Sequence, residues 1–354
     1  MSRSSSVRLP AEWEPQSGVM LTWPHQDTDW RDDLPGAEKV FIAIAQALSM
    51  DEQALIVCRD RPHLDHVRGL LAGAIPSSKR LTFGLADSDD TWARDHGPLT
   101  SLDDRGKPLL QDFMFDGWGG KFEAGKDTKI SITLAAQGCF GDCPMQSHDF
   151  ALEGGAIETD GAGTLLATRS SVLDPKRNPG CSVDRIESLL QRTLGLRHFL
   201  WLDHGSLSGD DTDAHIDVLA RFSDPETIVY TTALAGDQDH PALTAMETQL
   251  RTFRTPTGSP YQLRPLPFAG VHRDAGGRRL PATYANFLIT NRSVLLPVYG
   301  VAADLEAESI LAECFPDRRM VSIDCRHIIE QNGSLHCLTM QFPRGVPLVS
   351  TNLT

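Results

Sequence analysis

The sequence predicts an α/β fold in which one supersecondary unit recurs along the chain. In five places an amphipathic helix pattern is followed by a short apolar run typical of a β-strand. Between these units lie alternating segments bounded by turn residues, which predict β-hairpins. Recurrence of a few strands around one helix favours a closed or radial arrangement over a single open sheet. No glycine-rich phosphate loop follows a predicted strand, which argues against nucleotide binding.

The predicted elements follow from the hydrophobic pattern in chain order. Residues 19–23 form an apolar run that ends at a proline and predicts the first strand. The helix-then-strand units cover residues 38–50 and 54–58, 62–72 and 81–85, 183–194 and 198–202, 241–253 and 261–265, and 304–315 and 320–324. The hairpin segments cover residues 98–102 with 109–115, 163–168, 215–222 with 228–233, and 284–290 with 294–299.

Length and composition describe an ordinary globular protein. The 354 residues are 40% hydrophobic and 23% charged, and no apolar run is long enough to span a bilayer. Residues 1–10 are polar and serine-rich without the apolar core of a signal peptide, and they predict a disordered lead. We therefore expect a cytoplasmic protein, and length and composition leave one domain or two open; the family resemblance described below implies a single domain over residues 11–354.

Net charge and cysteine distribution restrict the partners and cofactors. A net charge of −14 argues against nucleic acid, which requires a basic patch, and favours a cationic substrate. The seven cysteines are odd in number and scattered, which argues against a disulfide framework. Cys139 and Cys143 lie close together, but no second pair of ligands matches them, so we expect no zinc site.

An acidic segment follows the third predicted strand. It places Asp87, Asp89, Asp90 and Asp95 around Trp92, with a single arginine in the segment. Carboxylates beside an aromatic face suit a bound cation through charge pairing and cation–π contact. A solvated acidic loop is the alternative. A calcium loop is not favoured, because the required aspartate spacing and closing glutamate are absent.

Two further segments carry polar groups suited to catalysis. If residues 212–222 form a strand, His215 and Asp217 share its polar face, and an imidazole beside a carboxylate suits general acid–base chemistry. The alternative is a half-exposed polar strand face. Glu153 precedes two glycines, which permit close backbone approach and would let its carboxylate orient a histidine.

Cys337 lies in a turn-rich segment that leads into a short strand ending at a proline. In a strand, Cys337 and Thr339 would share one face while His336 would lie on the opposite, apolar face. His336 is therefore a poor candidate for a base acting on Cys337. On its own, Cys337 is better explained as one more buried thiol, because free cysteines are commonly buried.

Taken together, five segments resemble the agmatine deiminases, which are close relatives of the bacterial peptidylarginine deiminases. The matching segments are residues 90–98, 152–155, 213–217, 284–287 and 333–337. Their order and spacing agree over nearly the whole chain. The resemblance implies the fold of guanidine-modifying enzymes, a five-bladed α/β propeller or pentein in which ββαβ units surround a central active-site funnel.

The resemblance also implies roles for individual residues. Cys337 corresponds to the nucleophile, His215 to the general acid/base, and Glu153 to a carboxylate that orients the histidine. Asp95 and Asp217 correspond to the carboxylates that bind the guanidinium. Positions that would line the pocket or meet the amine end of the substrate are Trp92, Asn286, Asp87, Asp89 and Asp90.

The implied reaction is hydrolysis of agmatine to N-carbamoylputrescine and ammonia, a step toward putrescine and other polyamines. A cysteine thiolate attacks the guanidinium carbon to form a covalent thiouronium intermediate, which water then cleaves. No metal or organic cofactor is needed. A dimer or higher homo-oligomer fits the family.

The sequence departs from the family pattern in two loops. Ala214 stands where glycine is expected, and Gln331, Asn332 and Ser334 alter the run before the cysteine. These departures leave peptidyl-arginine and free arginine open as alternative substrates. A non-catalytic propeller that serves as a binding module and a metal-dependent amidohydrolase are further alternatives.

Overall fold

The computed structural model describes residues 7–75 and 78–351, in which short β-strands alternate with helices. The strands are β1 (Gln16–Thr22), β2 (Gln53–Cys58), β3 (Leu81–Leu85), β4 (Leu99–Leu102), β5 (Pro108–Met114), β6 (Met145–Ala151), β7 (Glu158–Thr159), β8 (Thr164–Thr168), β9 (His198–Leu202), β10 (Ala220–Asp224), β11 (Thr227–Thr231), β12 (Gln262–Leu266), β13 (His272–Arg273), β14 (Arg279–Leu280), β15 (Leu288–Ile289), β16 (Ser293–Val298), β17 (Arg319–Asp324) and β18 (Thr339–Pro343). The α-helices are α1 (Leu34–Asp51), α2 (Arg61–Ala74), α3 (Ala93–His96), α4 (Gly117–Gly120), α5 (Ile130–Ala136), α6 (Arg169–Val172), α7 (Val183–Leu194), α8 (His240–Leu250) and α9 (Ala303–Cys314). None of these helices, within the described ranges, combines the length and hydropathy needed to cross a bilayer.

Capping residues define several helix ends. α1 begins after Asp33, whose side chain accepts the backbone N–H of Gly36, and α2 begins after Asp60, which accepts from His63. A proline lies in the first turn of each helix, where its missing N–H leaves no hydrogen bond unmade. α7 ends at Gly195, whose φ of 72° is open to glycine at little cost. These signals are local in sequence, which is why the helices were predictable.

Within the described residues, four three-stranded sheets share one topology. In each, an antiparallel pair is followed by a helical crossover and a third strand parallel to the second: β4-β5-β6, β7-β8-β9, β10-β11-β12 and β15-β16-β17. A further sheet is four-stranded in the order β18-β1-β2-β3. β13 and β14 form a separate two-stranded hairpin. Among the described strands, the last therefore pairs with the first in one sheet.

The predicted helix-then-strand units are present, but within the described residues there are six of them rather than five. The four-stranded sheet contains two, α1 with β2 and α2 with β3. The unit that the sequence did not reveal is α5 with β6. α5 has only seven residues and β6 is largely polar and exposed, so neither shows the periodicity of a buried element.

Two predicted strands are shorter than expected. The strand predicted over residues 215–222 begins only at Ala220, because a 3-10 turn over Ile216–Val218 precedes it. The strand predicted over residues 284–290 is reduced to Leu288–Ile289. In both segments the irregular backbone carries polar side chains of the site described below.

The predicted disordered lead over residues 1–10 falls only partly on described residues, and residues 1–6 lie outside them. Arg8 exchanges two backbone hydrogen bonds with Leu102, at 2.9 and 2.8 Å, and the side chain of Leu9 is buried. The prediction of disorder is therefore wrong for Arg8 and Leu9, which pack against the folded chain.

Strand β1 lies in the interior of the molecule. Val19 and Leu21 belong to one hydrophobic cluster and Met20 to a second cluster, because successive side chains of a strand point to opposite faces. All three side chains are fully buried. β1 pairs with β18 on one side and β2 on the other. The segment just before β18, which carries Cys337, is thereby held in the interior.

Candidate active site

Cys337 lines a cavity of about 600 Å³ whose wall is rich in carboxylic acids. The acidic lining residues include Asp89, Asp90, Asp95, Asp127 and Asp211. The aromatic side chains of Trp92, Trp118 and Phe122 also line the cavity. Negative charge beside aromatic surface is the combination that binds organic cations.

Asn286 fixes the turn that carries Cys337. Its Oδ1 accepts the backbone N–H of His336 at 2.8 Å and that of Cys337 at 3.4 Å. Because this one amide oxygen accepts hydrogen bonds from two successive N–H groups, His336–Leu338 form a 3-10 turn instead of the predicted strand. Strand β18 therefore begins only at Thr339. The predicted separation of Cys337 and His336 onto opposite strand faces is therefore wrong.

Asp217 lies directly behind Cys337. Its Oδ2 accepts from Asn286 Nδ2 at 3.1 Å and lies 2.8 Å from His336 Nδ1 and 3.7 Å from Cys337 Sγ. Its Oδ1 is buried without a partner among the described residues. Asn286, like Asp217, is fully buried and does not itself line the cavity, and its predicted role in the pocket stays a prediction. It supports Asp217 and Cys337 from behind.

A strained loop places His215. Asp213 and Ala214 both have a φ of 67°, a left-handed conformation that costs a non-glycine residue about 1 kcal/mol or more. This conformation explains why the family pattern has glycine at position 214. An ion pair between Asp213 and Arg177, at 2.8 Å, holds the loop. The prediction that His215 and Asp217 share a strand face is wrong, because this loop and the following 3-10 turn carry them instead.

Asp95, in α3, faces His215. Its Oδ1 accepts the backbone N–H of Gly155 at 3.0 Å and lies 3.6 Å from His215 Nδ1. Its Oδ2 accepts the indole N–H of Trp118 at 3.0 Å. Sequence reasoning did not single out Trp118, whose φ of 58° is left-handed. The available signal was its position among three glycines, which are typical of left-handed backbone.

Gly155 leaves the space in which His215 and Asp95 meet. A Cβ atom at this position would lie 2.7 Å from His215 Nδ1 and 2.8 Å from Asp95 Oδ1, closer than real Cβ contacts. The sequence prediction that the two glycines after the glutamate permit close backbone approach is confirmed at Gly155. No larger residue fits here without displacing a polar group of the site.

Glu153 supports the site indirectly, through Arg177. Among the described side chains its partner is Arg177, with Nε 2.6 Å from Oε1, rather than His215 as the sequence predicted. Arg177 in turn binds Asp213 in the loop before His215. Glu153 therefore supports the position of the histidine through the loop.

Burial and like charges set the protonation of Cys337, Asp95 and His215. Burial, together with Asp217 and Asp95, raises the pKa of the Cys337 thiol well above its usual value. Burial and Asp217 likewise raise the pKa of Asp95. Burial lowers the pKa of His215 to about 3, so the imidazole is neutral. Although burial opposes it, the hydrogen bond from His336 keeps the pKa of Asp217 below its usual value.

Asp127 anchors the acidic segment along the cavity. Its Oδ1 accepts the backbone N–H of Asp89 at 2.7 Å and that of Asp90 at 3.3 Å, and burial raises its pKa to about 7. Trp92 donates its indole N–H to Asp90 at 2.9 Å. Asp89 and Asp90 line the cavity, whereas Asp87 is exposed, pairs with a lysine at 3.1 Å and is absent from the lining. The predicted contact of Asp87 with the amine end of the substrate has no support from the cavity lining and stays a prediction.

The altered loop before Cys337 has a structural explanation. Asn332 adopts a φ of 67°, which asparagine tolerates better than most residues, and its Nδ2 donates to Asp211 at 2.8 Å. Gly333 is required, because a Cβ atom there would lie 2.1 Å from the Trp92 ring. The loop thus keeps the backbone geometry of a glycine-rich run while it orients an acidic side chain of the cavity.

Lys121 is the only cationic side chain among the described residues that line the cavity. Its Nζ lies 2.7 Å from Asp213 Oδ1 and donates to the Asp211 carbonyl at 2.6 Å. Lys121 is therefore occupied by protein groups. Over the described part of the chain, no three His, Cys, Asp or Glu side chains are grouped so that they could hold a metal ion.

Comparison with known proteins gives one family. A family model described as Porphyromonas-type peptidyl-arginine deiminase matches residues 8–343. The agmatine deiminase of Stutzerimonas stutzeri is 32% identical over 366 aligned residues, which cover 96% of each chain. A solved structure of a C. jejuni agmatine deiminase, with cysteine replaced by serine and substrate bound, has a TM-score of 0.89 and 28% identity over 98% of this chain and 99% of that one. A Porphyromonas gingivalis structure provisionally described as an arginine deiminase has a TM-score of 0.89 and 46% identity over 96% and 99%.

Proposed function

The chain belongs to the Porphyromonas-type peptidyl-arginine deiminase family, and from this premise we propose that it is an agmatine deiminase, a hydrolase of carbon–nitrogen bonds. It converts agmatine and water into N-carbamoylputrescine and ammonia, a step toward putrescine and other polyamines. The observation that carries the proposal is the convergence of Cys337, Asp95 and Asp217 in and behind an acid-lined cavity.

Two aspartates bind the planar guanidinium. Asp95 and Asp217 are 4% and 0% exposed, and Asp217 Oδ1 has no partner among the described residues. Asp217 accepts from the guanidinium at Oδ1, and Asp95 accepts through the lone pairs that Gly155 and Trp118 leave free, which holds the guanidinium carbon near Cys337 Sγ. The bound positive charge also offsets the burial and repulsion that raise the pKa of Asp95 and Cys337. The substrate thus promotes its own binding and the ionisation of the thiol.

His215 moves the protons. Its neutral ring has a buried Nε2 without a partner among the described residues, which is available to accept the thiol proton. The thiolate then adds to the guanidinium carbon, and the imidazolium gives its proton to the departing ammonia as the C–N bond breaks. The product of this step is a thiouronium on Cys337. Water adds to its carbon, His215 takes a proton from that water, and the C–S bond breaks to release the ureido product.

The outer part of the cavity selects a second positive charge. Asp89, Asp90, Asp127 and Asp211 line the cavity, and its one lysine is occupied. Burial raises the pKa of Asp90, Asp127 and Asp211, and a bound cation lowers it again. Agmatine ends in an ammonium group, which these acids attract, whereas free arginine ends in a carboxylate that they repel. Trp92 adds an aromatic surface for the cationic end. These features support agmatine over free arginine.

Peptidyl-arginine is the second candidate substrate. The description of the matching family model favours it. In a peptide the α-carboxylate of arginine is a neutral amide, so the acidic wall does not repel it. The same wall, however, offers a neutral amide no attraction comparable with that for an ammonium group, and agmatine is therefore preferred.

The proposal extends to the architecture and setting of the protein. The five sheets of three or four strands are the blades of a five-bladed α/β propeller around a central funnel, and residues 11–354 form one catalytic domain. The recurrent strand topology supports this arrangement. The enzyme acts in the cytoplasm as a dimer or higher homo-oligomer, and its chemistry uses protein side chains alone.

The test is ammonia release by the purified protein with a chelator present. Agmatine, free arginine and a blocked arginine peptide are compared in parallel, with Cys337→Ser and His215→Ala as control variants. We expect ammonia from agmatine alone, and a loss of turnover of about 1,000-fold or more in both variants.

Each other result has a definite meaning. Turnover of the peptide alone would keep the mechanism and change the substrate. Activity retained by Cys337→Ser would remove the thiolate mechanism, and stoichiometric zinc in the active protein would restore a metal-dependent amidohydrolase. No ammonia from any substrate would leave a binding module as the remaining function.

A further inference from the structure

His336 has no role in the reaction steps above, yet it bridges two carboxylates beside the nucleophile. Its ring is 2% exposed, with Nδ1 2.8 Å from Asp217 Oδ2 and Nε2 2.7 Å from Glu12 Oε2. His336 thus connects a substrate-binding carboxylate to the N-terminal segment of the chain. Both of its ring nitrogens are occupied, so it cannot serve as a base for Cys337.

Glu12 is itself held firmly. Its Oε2 accepts from Arg221 at 3.0 Å, and its Oε1 accepts the backbone N–H of Ile289 at 2.7 Å. Arg221 is buried and also pairs with Glu158 at 2.5 Å. Since each member of this chain of contacts is fixed by the next, the His336 ring has a single available orientation.

The contacts among Glu12, His336 and Asp217 determine how many protons these three side chains hold. A carboxylate accepts hydrogen bonds, and each of the two short N···O contacts requires one proton. Burial opposes it, but Arg221 keeps the pKa of Glu12 low, while burial and the charge of Arg221 lower the pKa of His336. Glu12, His336 and Asp217 together therefore hold two protons and carry one net negative charge.

These contacts distinguish the two oxygens of Asp217, a side chain buried behind the residues that line the cavity. Oδ2 accepts hydrogen bonds from His336 Nδ1 and Asn286 Nδ2, whereas Oδ1 has no hydrogen-bond partner among the described residues. We propose that His336 is a positioning residue, which holds Asp217 in the orientation that presents Oδ1 to the guanidinium. The inference rests on the proposed function in that a guanidinium is the bound group.

Two matched variants separate positioning of Asp217 from general structural support. In His336→Asn the amide nitrogen takes the place of Nδ1 and keeps a donor toward Asp217. In His336→Gln the amide nitrogen of the longer side chain takes the place of Nε2 and keeps a donor toward Glu12 only. Both remove the imidazole, and each retains one of the two contacts.

We expect kcat/KM for agmatine to stay within about threefold of the native value in His336→Asn and to fall about 100-fold in His336→Gln. A large part of this decrease should appear as an increase in KM, because a misplaced Asp217 carboxylate binds the guanidinium more weakly. Thermal melting of both variants should remain cooperative. Equal losses in the two variants, the opposite order, or loss of folding in either would overturn the proposal.

A second readout does not depend on turnover. In a Cys337→Ser background, methylguanidinium should bind equally well with His336 and with His336→Asn, but about 100-fold more weakly with His336→Gln, as measured by isothermal titration calorimetry. If the parent protein binds methylguanidinium but the native protein releases no ammonia from agmatine, the proposed substrate is wrong while the variant contrast still tests His336. Equal affinity of all three proteins would contradict the positioning role.

Discussion

At the scale of single residues, access to the cavity distinguishes Cys337 from the other cysteines. Burial raises the pKa of Cys325 to about 12 and also raises that of Cys337. Cys325 has no exposure, whereas Cys337 lines the cavity. A cation can therefore approach Cys337 and lower its pKa, while Cys325 remains an inert thiol.

The reaction should consequently depend on pH in a way that the substrate alters. In the free enzyme Cys337 is protonated at neutral pH because its pKa is raised, so kcat/KM should increase with pH between about 6 and 9. The bound guanidinium lowers that pKa, so kcat should change less over the same range. Steady-state profiles measure both quantities, and a flat kcat/KM would contradict this account of the thiol.

The space at Gly155 provides a second test. Gly155→Ala places a methyl group against His215 and Asp95, and we expect kcat/KM to fall by about 100-fold or more. Gly125→Ala is the matched control, because a Cβ atom there meets nothing within 4 Å. Steady-state kinetics give kcat/KM for both variants, and thermal melting verifies that both are folded. Native activity in Gly155→Ala would mean that the two side chains do not need this contact geometry.

The sequence located the principal polar groups of the site through short motifs, and the structure brings Cys337, His215, Asp95 and Asp217 together. It did not reveal the roles of Trp118 and His336. Trp118 reaches Asp95 only because its backbone is left-handed, and His336 reaches Asp217 only because a 3-10 turn replaces a strand. Such contacts depend on local backbone geometry, which hydrophobic periodicity does not encode.

At the scale of elements, helices with strong caps and strands with buried faces were predictable, and polar or short elements were not. α7 and β9 were predicted with the observed limits, because α7 has a serine cap, a terminal glycine and a buried stripe. α5 and β6 lack these signals. The element count from sequence was therefore one unit too low, although the topology of the remaining units was regular.

The end of α1 offers a test of stability. Glu52 is 5% exposed, its Oε2 accepts from Asn291 Nδ2 at 2.6 Å, and burial raises its pKa to about 7. Because the folded state holds this proton more tightly than the unfolded state, stability from this group is present below about pH 4.5 and is lost as pH rises through 7. Glu52→Gln should therefore increase the free energy of unfolding by about 2 kcal/mol at about pH 8.

The gain should disappear near pH 5, where Glu52 is protonated in the folded state. Urea unfolding at both pH values measures the difference, with the exposed Glu306→Gln as control. An equal gain at the two pH values, or no gain at the higher one, would contradict the assigned protonation of Glu52.

At the scale of the whole molecule, the charge distribution is matched to a cationic substrate. The chain carries a net charge of −14, and acids far outnumber basic side chains in the cavity lining. A field of one sign focused in a cavity raises the local concentration of an oppositely charged ligand, and salt screens it. The same excess of acids disfavours free arginine as a substrate.

Ionic strength should therefore affect substrates according to their charge. The kcat/KM for agmatine should fall about tenfold between low and physiological salt, and that for N-acetylagmatine, which lacks the ammonium group, should fall less. Kinetics of both substrates across a salt series give the two slopes. Identical slopes would show that the acidic wall does not act on the amine end.

The covalent intermediate is the most direct test of the central claim. Native protein mixed with agmatine, quenched rapidly in acid and analysed by peptide mass spectrometry, should show the peptide that contains Cys337 heavier by the mass of agmatine less ammonia. The Cys337→Ser protein should show no such peptide. Turnover of agmatine without this adduct, or an adduct on a different residue, would contradict nucleophilic catalysis by Cys337.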